Sequence, residues 1–139
     1  MINTPTEDYS KCKNEQEFKM MYLKENKDKD WYDFCIETEE TVKGFPDVML
    51  IEKQSRVCIF YEFKFTKTGK IKFQPTQPAF YKSHHSLVIT IVAYNAKTKT
   101  LHKFGALNLF NLGSRYSMNE KAEVDLCKAE KFLNGEVEK

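Results

Sequence analysis

The sequence lacks a strong charge of either sign. Its 22 basic and 20 acidic residues leave a formal charge of only +2. A global basic field of the kind many nucleic-acid binders carry is therefore excluded, and any contact with nucleic acid has to come from local patches. Long apolar runs are missing as well: the longest, residues 87–94, is far too short to span a bilayer. Residues 1–11 are polar and mildly acidic, without the pattern of a signal peptide. Cys12, Cys35, Cys58 and Cys127 show no paired metal-ligand spacing, and the apolar, strand-like surroundings of Cys35 and Cys58 predict buried free thiols. These absences point to the cytoplasm. Repeats, low-complexity tracts and linkers are absent too. What is there, 139 residues with 41% hydrophobic and 14% aromatic content, predicts one globular domain over 1–139 with a single core.

The stretch from Gly44 to Lys64 organises the rest. Gly44-Phe45-Pro46-Asp47 brings a carboxylate out of a Gly/Pro bend into the short apolar strand Val48-Met49-Leu50-Ile51. After the polar turn Lys53-Gln54-Ser55-Arg56, a second strand rich in β-branched and aromatic residues runs from Val57 to Lys64. Side chains alternate faces along a strand. Val57, Ile59, Tyr61, Phe63 and Phe65 thus share one face, and Cys58, Phe60, Glu62 and Lys64 the other. A hairpin would set Asp47 beside Glu62 and Lys64. Two acids and a lysine at one end of a sheet suit a hard divalent cation held through oxygen, with the lysine beside it.

Around this centre the pattern predicts a helix from Asn14 to about Asn26. Asn14 and Glu17 have capping-box spacing, and Phe18, Met21 and Tyr22, widened by Met20 and Leu23, form its apolar face. Glu15 borders that stripe and Glu17 lies about a hundred degrees away, though both are also acids that a helix N-terminus favours. Residues 1–13 read as irregular and 31–36 as a first strand. Glu37 and Glu39 project the same way from its polar continuation and are reserve metal ligands. Lys64, Lys67, Lys70 and Lys72 surround the glycine turn at Gly69. Beside an acidic metal site, Lys67, Lys70 and Lys72 are placed to neutralise nucleic-acid phosphates. Pro75 suits the first position of a second helix, in which Pro78 interrupts the start and forces the helix to begin again one turn later. His84 and His85 close it, more in the manner of helix-end cations than of ligands. Residues 87–94 are apolar on both faces and predict a central, covered strand laid parallel to the 57–64 strand by a right-handed crossover. An edge strand over 100–104 follows, and a last helix over 120–133 capped by Ser117 or Asn119, with Val124, Leu126, Cys127 and Phe132 packed and Gly135 ending it. The apolar segment 104–112 is a candidate dimer face.

Glu-x-Lys alone means little, since residues 17–19 and 25–27 repeat it. The conjunction of Gly-x-Pro-Asp, a strand, a turn and Glu62-Phe63-Lys64 at the end of a second strand resembles the PD-(D/E)XK nuclease superfamily. Within it, the chain is most similar in flavour to VRR-NUC and phage Holliday-junction-resolvase-like domains. The resemblance covers roughly residues 14–94. It implies an α/β fold, a mixed central β-sheet flanked by helices in the order α-β-β-β-α-β of the restriction-endonuclease-like core. It also implies a Mg2+-dependent endonuclease, with Mn2+ as substitute, that hydrolyses phosphodiester bonds in nucleic acid, structured or branched DNA above all. Asp47 and Glu62 would bind the metal with the main-chain carbonyl of Phe63, and Lys64 would orient the attacking water. The Asn14-Glu15-Gln16-Glu17-Phe18 run matches the family's helix with a functional acid at Glu15, which would reach the same metal or a second one, through water, and Gln77 matches a glutamine that borders the site. A possible homodimer and a bacterial or phage-infected host cell follow from the same likeness. The alternative is a non-catalytic nucleic-acid-binding or protein-interaction module on the same fold.

Overall fold

Asn14 starts the first helix. Its side chain accepts a hydrogen bond from the Glu17 main-chain N–H at 2.9 Å, satisfying one of the donors that a helix leaves open at its start. The helix α1 follows over Glu15–Glu25. The return bond of a full capping box does not form, and the Glu17 side chain stays in water. Phe18 and Tyr22, one turn apart, are buried. Met20, expected to widen that face, is 51% exposed, because two residues past Phe18 is more than half a turn away. The computed structural model describes residues 8–36, 44–110, 123–132 and 136–138.

Five further elements around α1 match the expected order: β1 (Trp31–Cys35), β2 (Val48–Glu52), β3 (Cys58–Thr66), α2 (Thr76–Ser83) and β5 (Ile89–Asn95), with β4 (Lys70–Lys72) inserted after β3. Then come β6 (Thr100–Gly105), α3 (Ala106–Phe110), β7 (Glu123–Asp125), α4 (Leu126–Phe132) and β8 (Glu136–Glu138). The main sheet has six strands in the order β1-β2-β3-β5-β6-β8, and β4 pairs with β7 in a second, two-stranded sheet. All neighbours in the main sheet run antiparallel except β3 and β5, which run parallel, as the intervening helix requires.

Two layers of side chains cover the sheet. On one face Phe63 of β3 and Val92 and Tyr94 of β5 meet Phe18 and Tyr22 of α1. On the other, Phe60, Ile91 and Ala93 meet Phe80 and Tyr81 of α2 and the Leu109 and Leu126 side chains. The period-two alternation of β3 thus sorts its residues as expected. Tyr9, in a region expected to be irregular, belongs to a short 3-10 helix over Tyr9–Lys11. Its buried ring meets Phe18 edge-on, with centroids 5.2 Å apart.

Several expectations need correction. The central strand begins at Ile89, not Leu87. The Leu87 N–H still belongs to the turn, donating to the His84 carbonyl at 3.0 Å, and Val88 is 57% exposed. Strand β6 is internal, not an edge, because β8 pairs with it. The helix expected over 120–133 is shorter: Glu123-Val124-Asp125 alternates in burial as β7. Asp125 then caps α4 by accepting from the Cys127 and Lys128 N–H groups at 2.9 and 3.2 Å. Val124 and Leu126 are buried as expected, whereas Cys127 is exposed. Cys35 is exposed too, because β1 lies at the sheet edge. Of the candidate dimer face over 104–112, Phe104, Ala106 and Leu109 are core residues and not free, and 111–112 lie outside the described residues. Glu37, Glu39, Ser117 and Asn119 lie outside the described residues.

Candidate functional site

The loop before β2 reaches the site over a glycine. Gly44 has a φ of +89°, a conformation that side-chain-bearing residues avoid. A Cβ there would also run into the main-chain oxygen of Thr76 at the start of α2. The loop is therefore pressed onto that helix, and buried Pro46 carries it on to Asp47. Val48 pairs with Tyr61 in the β2–β3 register, so the next step outward places Asp47 across from Glu62. The Asp47 Oδ2 atom accepts a hydrogen bond from the Phe63 main-chain N–H at 3.0 Å.

Glu62 and Lys64 lie on the α2 side of β3 and are 3% and 6% exposed. The Lys64 Nζ sits 3.9 Å from Glu62 Oε2 and donates to Gln77 Oε1 at 3.2 Å. It also lies 4.6 Å from the centroid of the Phe73 ring, which favours a cation over its face. Gln77 is itself held: its Oε1 accepts from the Gln74 N–H at 2.9 Å. Pro75 is the N-cap rather than the first helical residue, and α2 runs through Pro78 without restarting. Pro78 occupies the third helical position, where an N–H has no intrahelical acceptor, so its missing donor costs nothing. Gln77 thereby faces the site in the first turn.

The electrostatics are unbalanced. Burial, and then the charge of Asp47, push the Glu62 carboxyl up to about 9, against the opposing pull of Lys64. Its Oε1 has no hydrogen-bond partner, a condition that calls for an explanation in a buried polar atom. A cation supplies one. Asp47, Glu62 and the Phe63 carbonyl are hard oxygen donors of the kind Mg2+ and Mn2+ prefer. Among the described residues no three His, Cys, Asp or Glu side chains gather close enough to hold one ion. Two carboxylates and a carbonyl would suit an ion that keeps several waters.

Glu15 is the first residue of α1. Together with Asn14, Gln16, Lys19 and Asp47 it lines a cleft of about 400 Å³. The residue is exposed, but protein packed around its carboxyl raises its pKa against the pull of Lys64, with Asp47 adding to the rise and a hydrogen bond from the Phe65 main chain opposing it. Glu17 is turned elsewhere: its charge is felt by Cys12, whose thiol burial already pushes up. Lys67, Lys70 and Lys72 are all exposed. They are not all in a loop, however, for Lys70 and Lys72 belong to β4, where Lys70 Nζ stands 4.0 Å from Glu123 Oε1 of β7. His84 does not approach the acids. It stacks on Phe80 with centroids 4.0 Å apart, its Nδ1 3.0 Å from the Phe80 carbonyl.

Two neighbours of the site escaped sequence reading. Tyr81 of α2 is buried near enough to Glu62 and Asp47 that, after burial itself, their charges raise its phenol further; its apolar helix position carried no such signal. Lys19 shares the cleft with Glu15, and its place one turn after Glu15 was the available clue.

No protein-family model and no curated protein matches the sequence. In three dimensions the chain is similar to Hjc, a Holliday junction resolvase from the archaeal hyperthermophile Archaeoglobus fulgidus. The TM-score is 0.56 over 85% of this chain and 93% of that one, at 12% sequence identity. At such identity the likeness is one of fold: a mixed α/β architecture with a central sheet flanked by helices.

Proposed function

We propose that this chain is a metal-dependent endonuclease of the PD-(D/E)XK type, with a VRR-NUC-like helix acid, acting on structured or branched DNA. The observation that carries the reading is the buried, partnerless Glu62 Oε1 beside Asp47 and Lys64. The fold shared with a Holliday junction resolvase supports it. Asp47, Glu62 and the Phe63 carbonyl would hold Mg2+ or Mn2+, which when bound makes its water more acidic and screens the phosphate. Hydrolysis joins a water oxygen to phosphorus and breaks the bond to the leaving sugar oxygen, and the proton the water loses to solvent is matched by one the sugar oxygen takes up from solvent. The Lys64 ammonium orients that water and neutralises charge growing on the phosphate oxygens. Gln77 acts through Lys64: its carbonyl fixes the ammonium and leaves two of its donors free for water and phosphate. Glu15, which lines the cleft with Asp47, would reach the same metal or a second one through water. Lys67, Lys70 and Lys72 would contact phosphates farther along the substrate.

Paired incision of a four-way junction takes two active sites, and hence two copies of a chain of this size. Among the described residues no helix is long and apolar enough to cross a membrane. Work on DNA suits the cytoplasm of a bacterial cell or phage-infected host.

The test combines metal-dependent thermal shift with cleavage of labelled four-way, flap and linear DNAs. Mn2+ or Mg2+ should raise the melting temperature and support cleavage, Ca2+ should support binding with little cleavage, and Asp47→Asn should abolish both the shift and turnover. Robust cleavage in EDTA would overturn the mechanism. Metal response and DNA binding without any turnover would leave a binding module on this fold.

A further inference from the structure

The cleft in front of Asp47 is unlike an ordinary ligand pocket. Its five lining residues, Asn14, Glu15, Gln16, Lys19 and Asp47, include no aromatic or aliphatic side chain, whereas pockets that take a small organic ligand or a base are mostly apolar. The two acids stand on the side of the proposed metal. The cleft also carries the amides of Asn14 and Gln16 and the ammonium of Lys19. Lys19 is the sole cation among these residues. It follows Glu15 by four positions, which places the two side by side along one helix face. The other nearby cation, Lys64, is 6% exposed and held by Gln77 and Glu62 on the α2 side, where the proposed reaction already uses it.

A cleft that joins amide donors and one cation to a pair of carboxylates matches a sugar–phosphate backbone. Phosphate oxygens accept from amides and ammonium groups, and a metal between acids and phosphate bridges the two negative sides. None of the lining residues offers an aromatic face for a base to stack on. We infer that this cleft seats the backbone of the cleaved strand, with Lys19 binding the phosphate next to the scissile one. This inference rests on the nuclease reading and gives it a substrate class, a strand recognised by its phosphates without regard to sequence. Lys19 is a binding residue here and takes no part in bond making.

The test measures binding of fluorescent DNAs of several sequences in Ca2+ across a salt series, for the wild-type chain, Lys19→Ala and Lys19→Arg. Lys19→Ala should bind all sequences more weakly by the same factor. Its log affinity against log salt should be shallower by about one unit. Lys19→Arg, which keeps a cation that binds phosphate, should restore most of both. The thermal shift produced by Mn2+ alone should be unchanged in both variants, showing a folded protein with an intact metal site. Wild-type affinity and slope in Lys19→Ala would overturn the inference and leave the nuclease reading standing. A loss confined to one sequence would overturn it as well, because it would mean base recognition. A wild-type chain that responds to neither Mn2+ nor DNA would overturn both readings together.

Discussion

A carboxyl held near 9 in the folded chain affects stability as well as metal affinity. Glu62 would ionise at about 4.5 in the unfolded chain and at about 9 in the native one. Between those values the native state holds a proton that the unfolded state has released, so stability falls as pH rises through that window. The metal-free protein should therefore show a declining melting temperature from pH 5 to pH 9. Glu62→Gln, neutral throughout, should flatten that decline; equal slopes in the two proteins would show that Glu62 is not the group responsible. A second comparison separates the two helix acids. Glu15→Gln keeps size and helix propensity and faces Asp47, so cleavage should fall by about tenfold or more, the scale of a lost supporting contact at a metal site, with the melting temperature nearly kept. Glu17→Ala removes an exposed first-turn charge worth about 0.3–1 kcal/mol and should leave turnover intact. A folded but inactive Glu17→Ala protein beside an active Glu15→Gln would reverse the assignment.

Elements meet most tightly where the loop before β2 crosses the start of α2. Gly44 combines a left-handed backbone with a neighbour too close for any side chain. Gly44→Ala has to strain the backbone and push Thr76 away, which should cost about 1–3 kcal/mol and lower the denaturation midpoint. The same displacement moves Asp47 and Gln77 together, so cleavage should fall more than the loss of stability alone would cause. Measuring turnover well below the variant's melting temperature checks this; full activity there would mean the loop and α2 are not coupled to the site. Helix α2 also shows how local rules mislead at element ends. Pro78 reads as a helix breaker, yet it sits at the position where a missing N–H goes unnoticed. In β7, a single alternation of three residues and the Asp125 cap outweigh the helical spacing of their neighbours.

At the scale of the whole molecule, the proposed phosphate contacts beyond the site are Lys67, Lys70 and Lys72, all exposed. Replacing all three with Ala should weaken DNA affinity and make its salt dependence shallower by up to about three units, with turnover at saturating DNA much less changed. An unaltered salt slope would mean these lysines only solubilise the surface. The strand pair around Asp47 and Glu62 was determined by the sequence alone, because period two, a polar turn and a Gly/Pro bend are local signals with few competing readings. So were the capped start of α1 and the parallel neighbour of β3. Other features are set by contacts between residues far apart in the chain, which no local period encodes. Tertiary structure alone drew Tyr9 under α1, covered β6 with β8, and buried the Lys64 ammonium between Gln77 and Phe73. It also left one oxygen of Glu62 without a partner and opened the cleft that joins Glu15, Lys19 and Asp47. Each of these depends on which surfaces meet once the apolar faces are buried, a choice made by packing and desolvation over the whole domain.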